Sequence, residues 1–204
     1  MNLSTTLSLT GLITFVAFTS GAQTLADQGS ESSYLYRPLR LPHLEFESAC
    51  PASVGSNDVV PSAHPYIFGA GGYFFGKGPV YLGLGWKPAD RAEARFELVD
   101  RMPRVPQGFR LKTPWIMDPK YKGEALVRGA RIGSAIPDQI LFDSPQTTGP
   151  ALVLRSQNPG TLVSPAQLEA GQHWGFCPTS MVVPARGCYA LQIDTESGSD
   201  IVVF

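Results

Sequence analysis

Gly187-Cys188-Tyr189-Ala190-Leu191-Gln192-Ile193-Asp194, then Thr195-Glu196-Ser197-Gly198, then Ser199-Asp200-Ile201-Val202-Val203-Phe204, is the stretch that decides the fold. Tyr189, Leu191 and Ile193 alternate with Cys188, Ala190, Gln192 and Asp194, the period of a strand with two unlike faces. Thr195 to Gly198 is a polar gap in which Gly198 supplies the positive φ of a tight hairpin. Ile201 to Phe204 reads as a short, buried, β-branched strand. Together they predict a terminal β-hairpin that closes a sandwich.

Composition upstream agrees. The chain has 204 residues with 21 Gly and 18 Pro, well above the ~12% these two make up in ordinary proteins. So many breakers favour an all-β protein with many turns. Between turn signals, alternation predicts further strands. Val80, Leu82, Leu84 and Trp86 alternate with Tyr81, Gly83 and Gly85. Phe109 to Met117 is a strand broken by Pro114, and Glu124 to Ile132 is a strand with Gly129 inside it. Gln139 to Asp143 and Ala151 to Ser156 are short strands. Pro88 to Asp100 fits a helical stripe and a strand almost equally, and a turn followed by a strand is the preferred reading. The expected architecture is an antiparallel β-sandwich.

The N-terminus carries a different signal. Leu7 to Phe18 is an apolar run too short, and too rich in Thr, Ser and Gly, to span a bilayer. Small residues at Ser20 and Ala22 suit a signal peptidase, although no Lys or Arg precedes Arg37. Residues 1–22 are therefore expected to be a signal peptide, 23–36 a flexible linker and 37–204 a single domain. The absence of Cys near the cleavage site argues against a lipid anchor. A formal net charge of -1 gives no electrostatic footprint for nucleic acid. The expected product is a secreted monomer without stable membrane insertion.

Three cysteines fit an oxidising compartment and allow one bridge with one thiol left over. Cys177 with Cys188 would clip a hairpin; Cys50 with Cys188 would tie the N-terminal segment to the closing strands. Spacing alone does not choose. No Cys-x-x-Cys pair supports redox or ribbon-type zinc chemistry.

Other motifs fall short of their chemistry. Gly71 to Lys77 approaches a phosphate-binding loop, but Gly78-Pro79 and a strand stand where a hydroxyl and a helix are required. His173, Cys177 and Met181 suggest copper, yet no His follows Cys177 and Pro178 interrupts them; Trp174 and Phe176 read as an aromatic plug in a loop. Neither a nucleophile elbow nor a zinc-protease helix occurs. Glu45 and Glu47 share one strand face, which solvation explains without glycoside chemistry. No catalytic residue, metal site or cofactor is assigned. Trp115, Tyr121 and Trp174 are the candidates for stacking a ligand, a sugar above all, against the alternative that they fill the core. The function expected is a non-catalytic interaction or structural domain whose partner is a protein or glycan. A carbohydrate-binding module is the alternative, and a secreted hydrolase a weaker one.

Pro184-Ala185-Arg186-Gly187-Cys188-Tyr189-Ala190-Leu191-Gln192-Ile193-Asp194 to Ile201-Val202-Val203-Phe204 resembles the last two strands of bacterial immunoglobulin-like modules, where a Gly-x-Tyr step opens the penultimate strand. Cys50-Pro51, Gly78-Pro79-Val80-Tyr81, Lys112-Thr113-Pro114-Trp115 and Arg128-Gly129 extend the likeness to uncharacterised secreted bacterial proteins. The resemblance implies an immunoglobulin-like sandwich and a bridge between Cys50 and Cys188, with Cys177 as the extra thiol. Cys188 precedes the Tyr here, whereas in immunoglobulin domains it follows by two, so their inter-sheet bridge and tyrosine corner do not carry over directly.

Overall fold

A computed structural model of the chain describes residues 37–45, 48–56, 58–59, 73–83, 93–94, 103–134, 138–143, 148–155 and 174–204. The expected leader and linker, together with His64, Trp86 and His173, lie outside these residues, as does Pro88 to Asp100 apart from Glu93 and Ala94. The described elements are all strands: β1 (Phe74–Phe75), β2 (Val80–Gly83), β3 (Arg104–Val105), β4 (Gly108–Met117), β5 (Glu124–Ile132), β6 (Leu141–Asp143), β7 (Thr148–Gly149), β8 (Ala151–Arg155), β9 (Gly175–Val183), β10 (Cys188–Thr195) and β11 (Gly198–Val203).

They form two antiparallel sheets. The seven-stranded sheet runs β1-β2-β4-β9-β6-β7, with β3 beside β4; the four-stranded sheet runs β11-β10-β5-β8. The closing hairpin is present, and it is tighter than its polar gap suggested. Thr195 pairs with Gly198, leaving only Glu196 and Ser197 in the loop. Gly198 has φ +152°, a conformation side chains rarely adopt, so it can open β11 directly from the turn.

The sheets meet over one apolar core. Trp115, Leu82, Phe142 and Met181 come from the larger sheet, and Tyr189, Leu191, Ile193 and Val127 from the smaller one. Gly129 makes room for its neighbours in that core: a Cβ there would stand 2.6 Å from the Ala190 carbonyl oxygen on β10 and 2.8 Å from Ile140 Cδ1. Thr113 and Thr179, fully or nearly buried, satisfy themselves internally. Thr179 donates to the Thr113 carbonyl at 2.8 Å and accepts the Trp115 indole N–H at 3.1 Å.

Two expectations need correction. Pro114 does not break β4. It faces Pro178 on β9. Among the described pairings, β2 engages β4 only at 115–117, β3 only at 108–109, and β6 engages β9 only at 180–182. Each proline therefore sits where no ladder donor is demanded of it. The stretch around Cys177 is likewise not a loop but the nine-residue strand β9. With a period of two, Cys177 and Met181 share the inner face, where both pack against the main core.

Chain segments close both sides of the sandwich. On one side, the Ser53 N–H donates to Val203 O at 2.8 Å, and Ser56 exchanges two 2.9 Å bonds with Phe74. The same short segment thus holds the β11 edge of one sheet and the β1 edge of the other. On the opposite side, Arg131 N–H bonds Asp138 O and Ile140 N–H bonds Gly129 O, before the chain enters β6 of the larger sheet. Sheet edges left open invite foreign strands, and the Ser53 to Ser56 segment occupies the β11 and β1 edges.

Leu191 is completely buried at the centre. Leu191→Ala should cost about 2–5 kcal/mol in urea unfolding. Val153→Ala, at a position 41% exposed, should stay within about 0.5 kcal/mol.

Candidate functional site

Of the residues singled out from sequence, Cys50 and Cys188 are joined. Their Cα atoms lie 5.4 Å apart across a separation of 138 residues, and Cys177 is the free cysteine. Cys188 points away from the core. Its bridge packs with Leu41, Leu44, Ile132, Ala190 and Val203 in a second apolar cluster, on the outer face of the four-stranded sheet.

The three aromatics do not assemble into a platform. Trp115 is fully buried on the inner face, its N–H spent on Thr179, so it has no ring face to offer. Tyr121 is half-buried against the main core and its hydroxyl donates to the Glu124 carbonyl. Trp174 belongs to the outer face of the seven-stranded sheet. There it meets Tyr81 with ring centroids 6.4 Å apart, beside Phe74, Ile116 and Phe176. Register explains that patch: Tyr81, Ile116 and Phe176 lie in one row across β2, β4 and β9. Burial, and then the Asp118 and Asp200 carboxylates, push the Tyr81 hydroxyl above the usual tyrosine range.

The denser polar chemistry lies on the other sheet. All eight residues of β10 are buried, including Gln192 and Asp194 on the outer face. Buried polar groups need partners, and here three strands supply them. Arg128 on β5 stands opposite Gln192 and its Nη2 reaches Asp194 Oδ2 at 2.7 Å. The Gln192 Nε2 donates to both Asp194 oxygens, at 2.9 and 3.0 Å, and Ser199 on β11 donates to Oδ1. Asp194 thereby meets one cationic donor and two neutral ones.

The N-terminal segment covers this cluster. Gln192 Nε2 donates to Pro38 O at 3.1 Å, and Gln192 Oε1 accepts the Arg40 N–H at 2.6 Å. Arg128 Nη2 donates to Arg37 O, and Arg37 Nη1 donates to Thr195 O at 2.8 Å. Leu41 and Leu44 then pack beside the disulfide. Residues 37–45 thus form a strap over the outer face of β10, pinned by hydrogen bonds at one end, with the covalent anchor at Cys50 beyond the other.

Nothing in the chain's alternation assigned Arg128, Gln192 or Asp194 a role. The available signal was an Arg in the middle of the apolar run Ala125 to Ile132, together with a Gln and an acid two residues apart on one strand face. His43 and Glu45 lie on the exposed side of the strap. The other described ion pairs run between neighbouring chain segments: Arg110 with Asp143 at 2.9 Å, Arg131 with Asp138 at 3.7 Å, and Arg155 with Glu124. Burial pushes the Cys177 thiol up, so it stays protonated and is a poor nucleophile. Among the described residues no group of three or more His, Cys, Asp or Glu is placed to hold a metal, and no helix is long and apolar enough to cross a membrane. No protein-family model matches the chain, and no curated protein or solved structure matches it.

The Asp194 carboxylate is wholly buried and Arg128 is 21% exposed. Asp194→Ala should therefore cost about 3 kcal/mol in urea unfolding, because it strands a mostly buried guanidinium. Asp143→Ala, which breaks an exposed pair with Arg110, should cost at most about 1 kcal/mol.

Proposed function

We propose that the chain is a secreted, non-catalytic interaction domain with an immunoglobulin-like sandwich. The observation that carries this reading is the Cys50–Cys188 bridge. A disulfide that holds a structural strap persists in an oxidising compartment. The apolar, small-residue stretch at 1–22 supports the same destination.

The immunoglobulin likeness draws on two features. The sheets are both antiparallel, and Tyr189 makes a contact of the tyrosine-corner kind. Its hydroxyl donates to the Ala185 carbonyl at 2.9 Å, four residues upstream. Burial holds that hydroxyl above the usual tyrosine range, against the lowering effect of the Ala185 bond. The bridge itself departs from the immunoglobulin arrangement, since Cys188 faces outward to the strap and does not cross between the sheets.

The interaction reading draws support from how the ionisable groups are used. Asp194 and Arg128 orient a chain segment, and the described ion pairs join neighbouring segments. No described pairing sets a nucleophile against a base.

The test is to express the whole chain in a secreting bacterial host and map the exported product without reduction. The expected product begins at Gln23, carries a Cys50–Cys188 peptide pair and keeps Cys177 free. Cys188→Ser should lose about 2–5 kcal/mol of stability to urea. A product retained in the cytoplasm with its leader attached, or with both cysteines reduced, would contradict the proposal.

A further inference from the structure

The strap is held in an unusual way. Pro38, Leu39 and Arg40 are exposed, so the sheet face makes little use of their side chains. What it reads is main chain: Pro38 O and Arg40 N–H by Gln192, and Arg37 O by Arg128. A carboxamide carries the same N–H and C=O groups as a peptide unit. Bonding to the carbonyl of one residue and the N–H two residues on is how a parallel strand pairs with its neighbour. The Gln192 carboxamide therefore presents the N–H and C=O that one residue of a parallel strand would present, raised off the sheet face to meet the chain around Leu39. Its orientation is set before any chain arrives, because Asp194 holds Nε2 from below while Arg128 and Ser199 hold Asp194. Beyond this reader, the apolar cluster of Ile132, Ala190 and Val203 receives Leu41 and Leu44.

We infer that the outer face of the four-stranded sheet is a recognition site for extended polypeptide. It reads the main chain through Gln192 and Arg128 and seats apolar side chains beside the disulfide, and residues 37–44 occupy it in cis. The partner class is an unfolded or looped protein segment with leucine-like residues three and six positions after the unit read by Arg128 plus one, the spacing of Pro38, Leu41 and Leu44. The bridge at Cys50 leaves the occupying segment tethered when it lifts, so a competing segment must overcome a high local concentration. The inference rests on the reading of the chain as an interaction domain. A failure to bind peptide removes only this site, whereas the domain reading fails on export and disulfide mapping.

The experiment uses a fluorescein-labelled peptide of residues 37–44 and the full chain with its disulfide intact. In Leu41→Asp/Leu44→Asp the strap's apolar anchors are lost and the site is vacated. Fluorescence anisotropy should then show saturable binding, at least about tenfold tighter than to the unaltered chain, whose own segment competes. Adding Gln192→Leu to the vacated chain should weaken binding by about tenfold, the worth of one or two net hydrogen bonds. Absence of saturable binding to the vacated chain, or binding indifferent to Gln192→Leu, would overturn the inference. If the double variant does not fold, the unaltered chain decides. Excess unlabelled peptide should speed hydrogen exchange at the amides of residues 39–44, and unchanged exchange would overturn the inference.

Discussion

β10 must be covered twice. Its inner side chains, Tyr189, Leu191 and Ile193, lie in the main core, and its outer ones, Cys188, Ala190, Gln192 and Asp194, are buried as deeply. A four-stranded sheet with one layer against it leaves that second face open to water. The chain closes it with its own residues 37–45 and the bridge at Cys50. The closure has a physical order. Asp194 cannot be buried alone, so Arg128, Gln192 and Ser199 converge on it. Gln192, once fixed, has an N–H and a carbonyl left to satisfy, and Pro38 and Arg40 supply the complements. The apolar end of the face is sealed by Leu41, Leu44 and the disulfide.

The strap also explains the rest of the perimeter. From Cys50 the chain has only a few residues to reach Ser53, where it bonds the β11 edge, and Ser56, where it bonds β1. The covalent anchor therefore sets the register of the segment that joins the two sheets. Across the molecule, the turn from β5 through Ile140 into β6 does the same without a covalent anchor, through backbone bonds alone. A sandwich of uneven sheets gains two closed sides in this way, and the larger sheet's outer face keeps its aromatic row.

The sequence made some of this legible. Alternation located β10, because two unlike faces leave a period-two mark; the β-branched run Ile201 to Val203 located the end of β11, and β5 matched its expected span. The bridge came from a likeness of short motifs, since spacing left two pairings open. β9 was hidden by Pro178, because proline argues against a strand unless one knows that no neighbour needs its N–H. Trp115 was left between a stacking face and the core for a related reason: a Trp on a strand shows its side only when the partner sheet is known. The strap was invisible. Alternation reports the polarity of a face, and Gln192 and Asp194 look the same whether water or another segment lies above them. Nothing local in Arg37 to Leu44 marks it as their cover.

The side-chain amide of Gln192 reports most directly on that cover. In a nitrogen-15-edited NOE spectrum of the oxidised protein, its two Nε2 protons should show cross-peaks to Pro38 and Leu39 and exchange slowly with water. Fast exchange with no contact to residues 38–40 would mean that the outer face of β10 is bare, and the structure as described here would be wrong.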